Sequence, residues 1–443
     1  MEPTYIAAIE IGSSHIRAAV GMVDESGTLS VLGVEEECAI DAVRYGGIQN
    51  VEEVSNRINK LKLKLENHQT IHPRKIKAVY AALGGRSTMG SPAQVERIYN
   101  DETEITADVL RQLTDEARVQ GFSDRTVVEV LPSQFVVDNL ESTNPRGSFG
   151  REIRADFNLV TCRPLMHRNL IRAISDRQQI AIKGIFVRQN ALADLVLTSD
   201  EKKLGCMLVD FGAETTTVSV YKNGFLKYFA TLPVGSRCIT RDIMTLGYTE
   251  EKAEEIKRNI GDASSTDISV NRKHDFDGDA AEVNNYVRAR AGEIAANILE
   301  QPKYAGYSLP NDLPGGIILV GGGTHLRGFA QLIQQPGSVK VRLGGLPGSI
   351  RVADPRLQRI DTLDVISILN AAARAPQECT ELPEPVSMAV PSGEDDDDDG
   401  PGHLPRKGRD KKKNKEKEKG GSAVDKFMGR LSKWFQEPDD SDE

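Results

Sequence analysis

The segments IEIGSS at residues 9–14 and VDFGAE at residues 209–214 decide the fold of this 443-residue chain. Each places a carboxylate, one apolar residue and a glycine at the end of an apolar run, and each run begins a set of three predicted strands. The predicted strands are residues 5–11, 16–23 and 29–35 in the first set and residues 206–211, 216–221 and 225–231 in the second. The repeat predicts two related lobes whose glycine turns face one cleft.

Both glycine turns have the chemistry of an anion site. Glycine lets backbone N–H groups approach a phosphate closely, and the neighbouring hydroxyls add donors. The carboxylates of Glu10 and Asp210 would lie beside those phosphates, where a divalent cation must offset the repulsion, directly or through water. We therefore predict a polyphosphate with Mg²⁺ in the cleft. The candidate residues are Gly12, Ser13, Ser14, Asp210, Gly212, Thr215 and Thr216 for phosphate, with Glu10 and Asp210 for the metal.

A third segment, GGIILVGGGTHLRGF at residues 315–329, predicts the nucleoside end of the same site. A buried strand ends there in Gly321, Gly322 and Gly323, whose missing side chains leave room for a flat group, and a helix is expected from about Leu326. No G-x-x-x-x-G-K-[ST] loop occurs, and Leu326 interrupts G-x-G-x-x-G, so P-loop and Rossmann sites are excluded. One glycine turn alone is commonly only structural, but the three segments in this order predict a nucleotide site.

Composition excludes several other classes of protein. No run of about 18 apolar residues could span a bilayer, and the N-terminus lacks a signal peptide, so we expect a cytoplasmic protein. The net charge of −9 argues against a nucleic-acid binder. Seven histidines without H-E-x-x-H argue against a metal site built from protein groups alone. The cysteines form no C-x-x-C pair and are expected to be buried thiols: Cys38, Cys162, Cys206, Cys238 and Cys379.

The sequence pattern changes after about Ala375. Residues 376–421 lack apolar periodicity and contain an acidic block at 393–399 and a basic block at 406–419, which predicts a disordered linker. As a flexible coil, such a linker has an end-to-end distance of roughly 40 Å. The basic block also suits an anionic lipid surface.

The last periodic segment is SAVDKFMGRLSKWFQ at residues 422–436. Its apolar residues fall on one helical stripe and its basic residues lie off it, a pattern typical of an interfacial membrane helix. The alternative is a helix that docks on the protein's own body. One such helix is expected to bind membranes reversibly, and a polymer of subunits firmly. The predicted membrane-binding residues are Val424, Lys426, Phe427, Met428, Arg430, Leu431, Lys433, Trp434 and Phe435.

The three cleft segments resemble the actin, Hsp70 and sugar-kinase superfamily. Within it, the chain resembles the FtsA family of bacterial cell-division proteins through EVLPSQFVVD at residues 129–138, NPRG at 144–147 and EKKLG at 201–205. The resemblance covers about residues 5–345 and the tail. It implies an α/β, bilobed actin-like ATPase fold with an FtsA-type subdomain 1C. The implied domains are residues 1–83 and 165–195 for subdomain 1A, 84–164 for the SHS2-like subdomain 1C, 196–233 and 302–375 for subdomain 2A, 234–301 for subdomain 2B, 376–421 for the disordered acidic and basic linker, 422–436 for the amphipathic membrane-targeting helix and 437–443 for an acidic tail.

The resemblance also implies site residues. Glu254 and Lys257, one helical turn apart, would contact the ribose and adenine of ATP; the alternative is a surface ion pair. Arg290 and Glu293 match positions that contact the C-terminal peptide of the tubulin homologue FtsZ; the alternative is a pair of ordinary exposed helix charges.

The function that the resemblance implies is structural. The protein would bind ATP, assemble into filaments and tether FtsZ to the cytoplasmic membrane at the division septum, with anionic lipids and later division proteins as further partners. The alternatives are another scaffold of the actin superfamily, MreB-like or for pilus assembly, and a small-molecule kinase.

Three residues depart from the family pattern. Glu10 stands where Asp is usual, and Ala213 and Glu214 stand where glycines are usual. Glu214 would repel a polyphosphate unless its carboxylate points away or binds the metal. Residues 188–190 contain no acid that could polarise an attacking water, so we expect at most weak ATP hydrolysis.

Overall fold

The computed structural model describes residues 3–120, 122, 124–264, 278–335 and 339–383. The predicted tail helix at 422–436, with all its membrane-binding residues, and most of the predicted linker lie outside the described residues. None of the described helices is long and apolar enough to cross a membrane.

The described strands follow the chain from the N-terminus to just beyond the predicted body. They are β1 (Thr4–Ile11), β2 (His15–Val23), β3 (Leu29–Cys38), β4 (Val43–Arg44), β5 (Gly47–Ile48), β6 (Lys75–Ile76), β7 (Ala78–Leu83), β8 (Met89–Glu104), β9 (Thr126–Val137), β10 (Leu140–Ser142), β11 (Phe149–Cys162), β12 (Ala181–Val187), β13 (Cys206–Phe211), β14 (Thr216–Lys222), β15 (Phe225–Leu232), β16 (Ile317–Val320), β17 (Val341–Leu343), β18 (Arg351–Val352) and β19 (Thr380–Glu381).

The described helices alternate with these strands. They are α1 (Val51–Glu66), α2 (Ala107–Val119), α3 (Pro164–Ile171), α4 (Arg188–Val196), α5 (Ser199–Leu204), α6 (Arg237–Met244), α7 (Glu250–Asn259), α8 (Ala280–Glu300), α9 (Phe329–Gln334) and α10 (Leu363–Ala372). A π-helical turn, Arg172–Asp176, follows α3, and short 3₁₀ turns occupy Gln301–Ala305, Gly322–His325 and Pro355–Leu357.

The first lobe is built on a six-stranded sheet with the order β12-β7-β1-β2-β3-β18. β1, β2 and β3 form an antiparallel meander, as the first set of predicted strands implies, and β7 and β12 extend it in parallel. α1 packs against β2 and β3, and α10 packs against β1 and α4. The residues that α1 buries at the predicted helical spacing include Val54, Ile58, Leu61 and Leu65.

The second lobe repeats this plan. Its five-stranded sheet has the order β15-β14-β13-β16-β17, in which β13, β14 and β15 are antiparallel and β16 and β17 continue in parallel. β13 has the predicted bounds, and β14 and β15 each end one residue later than predicted. α6 packs against both α7 and α8 in the same lobe. The repeat inferred from the sequence is therefore confirmed in strand order and direction.

An insertion in the first lobe forms a sheet of its own, β10-β9-β11-β8, with α2 packed on it. The residues of its separate core include Ile105, Leu113, Phe135, Ile153 and Phe157. Two hydrogen bonds join it to the second lobe: Nζ of Lys227 donates to the carbonyl of Ser133 at 2.6 Å, and Nδ2 of Asn158 donates to the carbonyl of Leu226 at 2.9 Å. These elements fall within the predicted subdomain 1C, and the subdomain boundaries themselves remain predictions.

The strand predicted at residues 75–83 is wrong, because it is divided between two sheets as β6 and β7. The N–H groups of Lys77 and Ala78 both donate to the carbonyl of Cys379, at 2.9 and 3.0 Å, which draws this point of the chain towards β19. β19 pairs with β6. The packed chain therefore continues past Ala375, where the sequence pattern placed its end.

Two smaller predictions are also corrected. The helix expected from about Leu326 begins at Phe329, because a 3₁₀ turn precedes it and Gly328 adopts a left-handed conformation with φ of 76°. The expectation that all cysteines are buried is wrong for Cys38, which is exposed at the end of β3, and for Cys238, which is partly exposed.

Candidate nucleotide site

The two glycine turns have nearly the same backbone geometry. In the first turn, Gly12 N donates to the carbonyl of His15 at 3.0 Å, and in the second, Gly212 N donates to the carbonyl of Thr215 at 2.9 Å. A Cβ atom at Gly12 or Gly212 would lie 3.0 or 2.9 Å from that same oxygen, closer than side chains normally pack. Glycine is therefore favoured at both bends for the same steric reason.

A short segment of the first lobe joins the two turns. Tyr45 N donates to Oε2 of Glu214 at 2.6 Å, and Gly46 N donates to Oγ of Ser13 at 2.8 Å. Tyr45 and Gly46 both have left-handed backbone conformations, with φ of 49° and 75°. One peptide segment thus makes a hydrogen bond to each turn and crosses the cleft between them.

Arg188, the first residue of α4, lies between the carboxylates of the two turns. Its Nη1 donates to Oε1 of Glu10 at 3.2 Å, and its Nη2 donates to Oδ2 of Asp210 at 2.8 Å. All three residues are buried, with exposed fractions of 9% for Arg188 and 2% for each acid. The two carboxylates that the sequence assigned to a metal ion are therefore bound to one guanidinium.

Two further charges complete this cluster. Nε of Arg188 lies 3.8 Å from Oδ1 of Asp364, and Nη1 of Arg17 lies 3.9 Å from Oε2 of Glu10. Neither of these two carboxylate oxygens accepts a hydrogen bond from the described residues. Burial raises the pKa of both Glu10 and Asp364, although the charge of Arg188 opposes the shift. The loss of either arginine would leave buried carboxylates without compensation.

Glu214 supplies an anion to the second turn itself. Its Oε1 lies 3.1 Å from Nη2 of Arg241 and 3.5 Å from Nη1 of Arg237, while its Oε2 accepts the N–H of Tyr45. The side chain is buried. Both carboxylate oxygens are thus engaged by donors of the protein.

Glu254 and Lys257 form a buried pair at the other end of the cleft. Oε2 of Glu254 lies 2.6 Å from Nζ of Lys257, which also donates to Oγ1 of Thr240 at 2.9 Å and to the carbonyl of Ser236 at 3.2 Å. Burial lowers the pKa of Lys257, although Glu254 opposes the shift. Ser236 N in turn donates to the carbonyl of Gly212 at 2.9 Å, so the pair is connected to the second turn and is not a surface ion pair.

The triple glycine segment is closely packed against the second turn. Gly321 has φ of 87°, and a Cβ there would lie 2.4 Å from Oδ1 of Asp210. A Cβ at Gly323 would lie 2.6 Å from the ring of Phe211, whereas one at Gly322 would meet open space. Of the three glycines expected to leave room for a flat group, Gly322 is therefore the one that faces an opening.

The hydroxyls predicted to bind phosphate differ in their surroundings. Thr216 is fully buried, and its Oγ1 donates to the carbonyl of Val234 at 2.8 Å. Oγ of Ser14 lies 2.8 Å from Nδ1 of His15, the adjacent residue. The hydroxyl of Thr216 is thus committed to the backbone of its own lobe, whereas that of Ser14 has only a local partner within the described residues.

These residues fit a nucleoside better than a directly coordinated metal ion. The end of α7 lies beside the glycine segment, where Ala263 N donates to the carbonyl of Arg327 at 2.8 Å, so the polar pair on α7 and the opening at Gly322 belong to one region. Glu10 and Asp210 are occupied by Arg188, and the described part of the chain contains no group of three or more His, Cys, Asp or Glu side chains that could hold a metal ion. Direct coordination of Mg²⁺ by these carboxylates does not fit this arrangement.

The residues assigned to the FtsZ contact lie on α8. Nε and Nη2 of Arg290 donate to the two carboxylate oxygens of Asp242, at 2.7 and 3.2 Å, and Nη1 donates to Glu293 at 2.5 Å. Arg290 is half-buried, and Glu293 is exposed. A basic residue is therefore present at this position, but an acidic partner must replace an internal bidentate contact to reach it.

The sequence reasoning missed the charged residues that surround the turns. A signal was available for Arg188, since it is a single charge between the apolar segments at 185–187 and 191–197, and a buried charge requires a partner. Asp364 precedes the apolar run at 365–369 in the same way. Arg237 and Arg241 lie on α6, an amphipathic helix, and nothing in the sequence distinguishes them from ordinary surface charges.

Comparison with known proteins places this architecture in a family. The family profile described as "Cell division protein FtsA" matches residues 207–364, and that described as "SHS2 domain inserted in FTSA" matches residues 85–161. Two relatives, each described as cell division protein FtsA, come from Porphyromonas gingivalis (31% identical over 394 residues, 85% of this chain and 80% of the relative) and Bacillus subtilis (30% over 364 residues, 79% and 80%).

A solved structure supports the fold independently. The PilM-PilN type IV pilus biogenesis complex matches with a TM-score of 0.57 at 17% identity, over 83% of this chain and 96% of that chain, which shows a shared fold and no more. Because both profiles match parts of one chain and the two relatives align over most of its length, the chain belongs to the FtsA family of cell division proteins and has the actin-like ATPase fold with the family's SHS2 insertion.

Proposed function

We propose that this protein tethers FtsZ to the membrane: it binds ATP between its lobes, assembles into filaments and holds the C-terminal peptide of FtsZ at the cytoplasmic face of the bacterial inner membrane, at the septum. The observation that carries the proposal is that an FtsA-family body with its SHS2 insertion and an amphipathic segment at 422–436 occur in one chain. Later division proteins are further expected partners.

The nucleotide part of the proposal rests on the geometry of the cleft. Adenosine is expected beside Gly322 with Glu254 and Lys257 as polar contacts, and the phosphates at the turn of Gly12 and Ser14. Mg²⁺ is expected to be held by the phosphates and by water, because both nearby carboxylates are bound to Arg188.

Calorimetric titration of the full chain with ATP tests this assignment. Lys257→Ala should weaken binding about tenfold or more, since a charge-assisted hydrogen bond is lost. Lys252→Ala is the matched control, because Lys252 lies on the same helix but is half exposed and pairs only with Glu255 among the described residues. Equal affinities for the two variants would remove the assignment.

Hydrolysis is expected to be slow. Arg188 is bound by Glu10 and Asp210, Nε2 of Gln189 donates to Oγ of Ser219, and no acid occurs at residues 188–190 to activate water. Steady release of phosphate from ATP by the purified protein would contradict this expectation.

The FtsZ contact can be tested through the internal partner of Arg290. Arg290→Glu should abolish binding of an acidic FtsZ C-terminal peptide, whereas Asp242→Asn should strengthen it, because the variant frees the guanidinium from its internal carboxylate. Lys303→Glu, a charge reversal at an exposed residue outside α6 and α8, is the matched control and should bind normally. Weakened binding by Asp242→Asn would place the peptide elsewhere.

Membrane attachment can be tested with two single-charge variants of the tail. Leu431→Glu puts a carboxylate on the apolar stripe, and Ser432→Glu puts the same charge beside it. Sedimentation with anionic liposomes should fall for Leu431→Glu and for a chain that ends at residue 421, and should persist for Ser432→Glu. Equal pelleting of all four proteins, the wild type included, would rule out the tail as the anchor.

A further inference from the structure

Arg188 carries an inference that goes beyond FtsZ tethering and does not depend on nucleotide binding. We infer that its guanidinium takes the place of a divalent cation at the junction of the two lobes, so that the lobes are joined there without a metal ion. Removing the guanidinium then leaves a buried acidic site that a divalent cation such as Mg²⁺ can occupy.

The guanidinium faces carboxylates from three different elements. Its three nitrogens approach Glu10 of β1 at 3.2 Å, Asp210 of β13 at 2.8 Å and Asp364 of α10 at 3.8 Å. Side-chain exposure is 12% or less for every member of this cluster. Buried acids that converge on one point from separate elements are the arrangement that an oxygen-binding metal ion requires. Here the positive charge at that point belongs to the chain.

The backbone around Arg188 leaves room for its side chain. A Cβ at Gly84, which follows β7, would lie 3.1 Å from Nε and 3.2 Å from Cζ of Arg188. β12 ends at Val187, and α4 begins with Arg188, so the side chain leaves the end of a strand that lies beside β7 in the sheet. The absence of a side chain at Gly84 thus accommodates the guanidinium where it lies.

An arginine is suited to this role by its chemistry. It keeps its charge at any pH at which the protein folds, and its planar fork offers several donors to separate acceptors. Asp210 belongs to the second lobe, whereas Glu10 and Asp364 belong to the first, so the same charge that neutralises the acids also connects the lobes. A hydrated Mg²⁺ ion would perform both tasks in its place.

The oxygens that Arg188 leaves unbonded show where an ion would find ligands. Oε2 of Glu10 and Oδ1 of Asp364 are buried and accept no hydrogen bond from the described residues. Arg17 approaches Oε2 of Glu10 only at 3.9 Å, and it also contacts Glu36 and Asp361. Replacing Arg188 with a smaller neutral side chain therefore adds space next to oxygens that already lack a donor.

The test is thermal unfolding of the full chain without nucleotide, with EDTA, with millimolar MgCl₂, or with NaCl of matched ionic strength. Circular dichroism is the suitable signal, because the single tryptophan, Trp434, lies in the tail and does not report on the body. Wild-type protein should unfold at the same temperature in all three solutions. Arg188→Gln should unfold about 5–10 °C lower in EDTA and recover much of that loss in MgCl₂.

Two variants separate metal rescue from a general loss of structure. Arg125→Gln removes a partly buried arginine whose partners are Ser87 and Thr161, so it should destabilise the protein without a response to Mg²⁺. Arg188→Lys keeps one positive charge and should be more stable than Arg188→Gln, also without a response. Should Arg188→Gln fail to fold, the double variant Glu10→Gln with Arg188→Gln removes one uncompensated acid and should fold, with a weaker response to Mg²⁺.

Several outcomes would overturn the inference. Wild-type protein that is stabilised by MgCl₂ beyond the NaCl control already holds a metal ion, and the guanidinium does not replace one. Arg188→Gln that is destabilised equally in EDTA and MgCl₂ contains no cation site, as does a response of Arg125→Gln equal to that of Arg188→Gln. Loss of ATP or FtsZ binding in any protein would bear on the proposed function and leave this inference unchanged.

Discussion

The turn at Gly12 and the turn at Gly212 close with the same backbone hydrogen bond, yet the side chains that follow them have different electrostatic roles. Ser13 of the first turn offers a neutral hydroxyl to the N–H of Gly46. Glu214 of the second turn offers a carboxylate to the N–H of Tyr45 and to two arginines. The repeat thus preserves the path of the backbone, while the side chains decide what each turn can bind.

This difference bears on how a polyphosphate could lie between the lobes. The first turn has no charged side chain of its own beyond Glu10, which Arg188 binds, so its N–H and hydroxyl groups remain suited to an anion. The second turn already contains an anion together with the cations that neutralise it. We expect the first turn to contribute most of the phosphate contacts, and each prediction that follows bears on that asymmetry.

The largest effect is expected for Glu214→Ala. The variant leaves Arg237 and Arg241 without their shared carboxylate and should lower the free energy of unfolding by about 3–4 kcal/mol, because a buried charge pair is broken. The same variant should bind ATP or pyrophosphate more tightly, since two cations become available beside the second turn. Denaturant unfolding and calorimetric titration measure the two effects.

Glu250→Ala is the control for this prediction. Glu250 also binds Arg237 but is 37% exposed, so its loss should lower stability by less than about 1 kcal/mol and should leave anion affinity unchanged. If Glu214→Ala binds anions no better than Glu250→Ala, the two turns do not differ in the way described here.

A second prediction contrasts two buried carboxylates. Glu10 has Arg188, whereas Glu129 of β9 has the neutral amide of Asn190 at 3.0 Å, and burial raises the pKa of Glu129 to about 7. Above its ordinary pKa of 4.5, Glu129 ionises in the unfolded chain but stays protonated in the folded one. Stability should therefore fall by about 3 kcal/mol as the pH rises from about 4.5 to 7, with little further change above.

Glu129→Gln should remove this part of the pH dependence. Denaturant unfolding of the variant and of the wild type, at several pH values across that window, measures the difference in slope. The two proteins should converge at the acidic end, where Glu129 is protonated in both states. Parallel pH profiles for the two proteins would contradict the prediction.

Thr216→Val should have a smaller effect, and only on stability. The variant leaves the carbonyl of Val234 without its buried donor, which should lower the free energy of unfolding by about 1–2 kcal/mol. ATP affinity should not change, because this hydroxyl is already committed to its own lobe. A clear loss of ATP affinity in calorimetric titration would return Thr216 to the set of phosphate donors.

The smallest effect is expected for Ser13→Ala, which removes the acceptor of the Gly46 N–H. The loss should be about 1 kcal/mol, since one hydrogen bond between uncharged groups is broken. Ser14→Ala, one residue along, removes only a contact with the adjacent His15 and should cost less. Denaturant unfolding of the pair shows whether the bridge through Tyr45 and Gly46 stabilises the first turn.

Much of the fold could be predicted because it is encoded in local periodicity. The two sets of three strands and the buried face of α1 follow from alternation and helical spacing, which depend on near neighbours in the sequence. The division of β6 from β7 could not be predicted in this way. It depends on hydrogen bonds to Cys379, which lies some three hundred residues away along the chain.

The candidate site was predicted in its backbone and missed in its charges. The glycines at 12 and 212 carry a steric signal that a single sequence displays, and so do the acids beside them. The partner of a buried charge carries no such signal, because any arginine of the chain could be the one that reaches Asp210. Arg188 and the pair Arg237 and Arg241 become recognisable only when the lobes are placed together.

The pairing of β19 with β6 determines where mechanical load enters the body. A pull on the chain beyond Pro383 would act first on Thr380 and Cys379, whose hydrogen bonds run to Arg74, to Tyr5 of β1 and to the start of β7. These residues all belong to the first lobe. Tension from an attached membrane would thus pass directly into the strand that ends in Glu10, and the second lobe would feel it only through contacts such as Arg188.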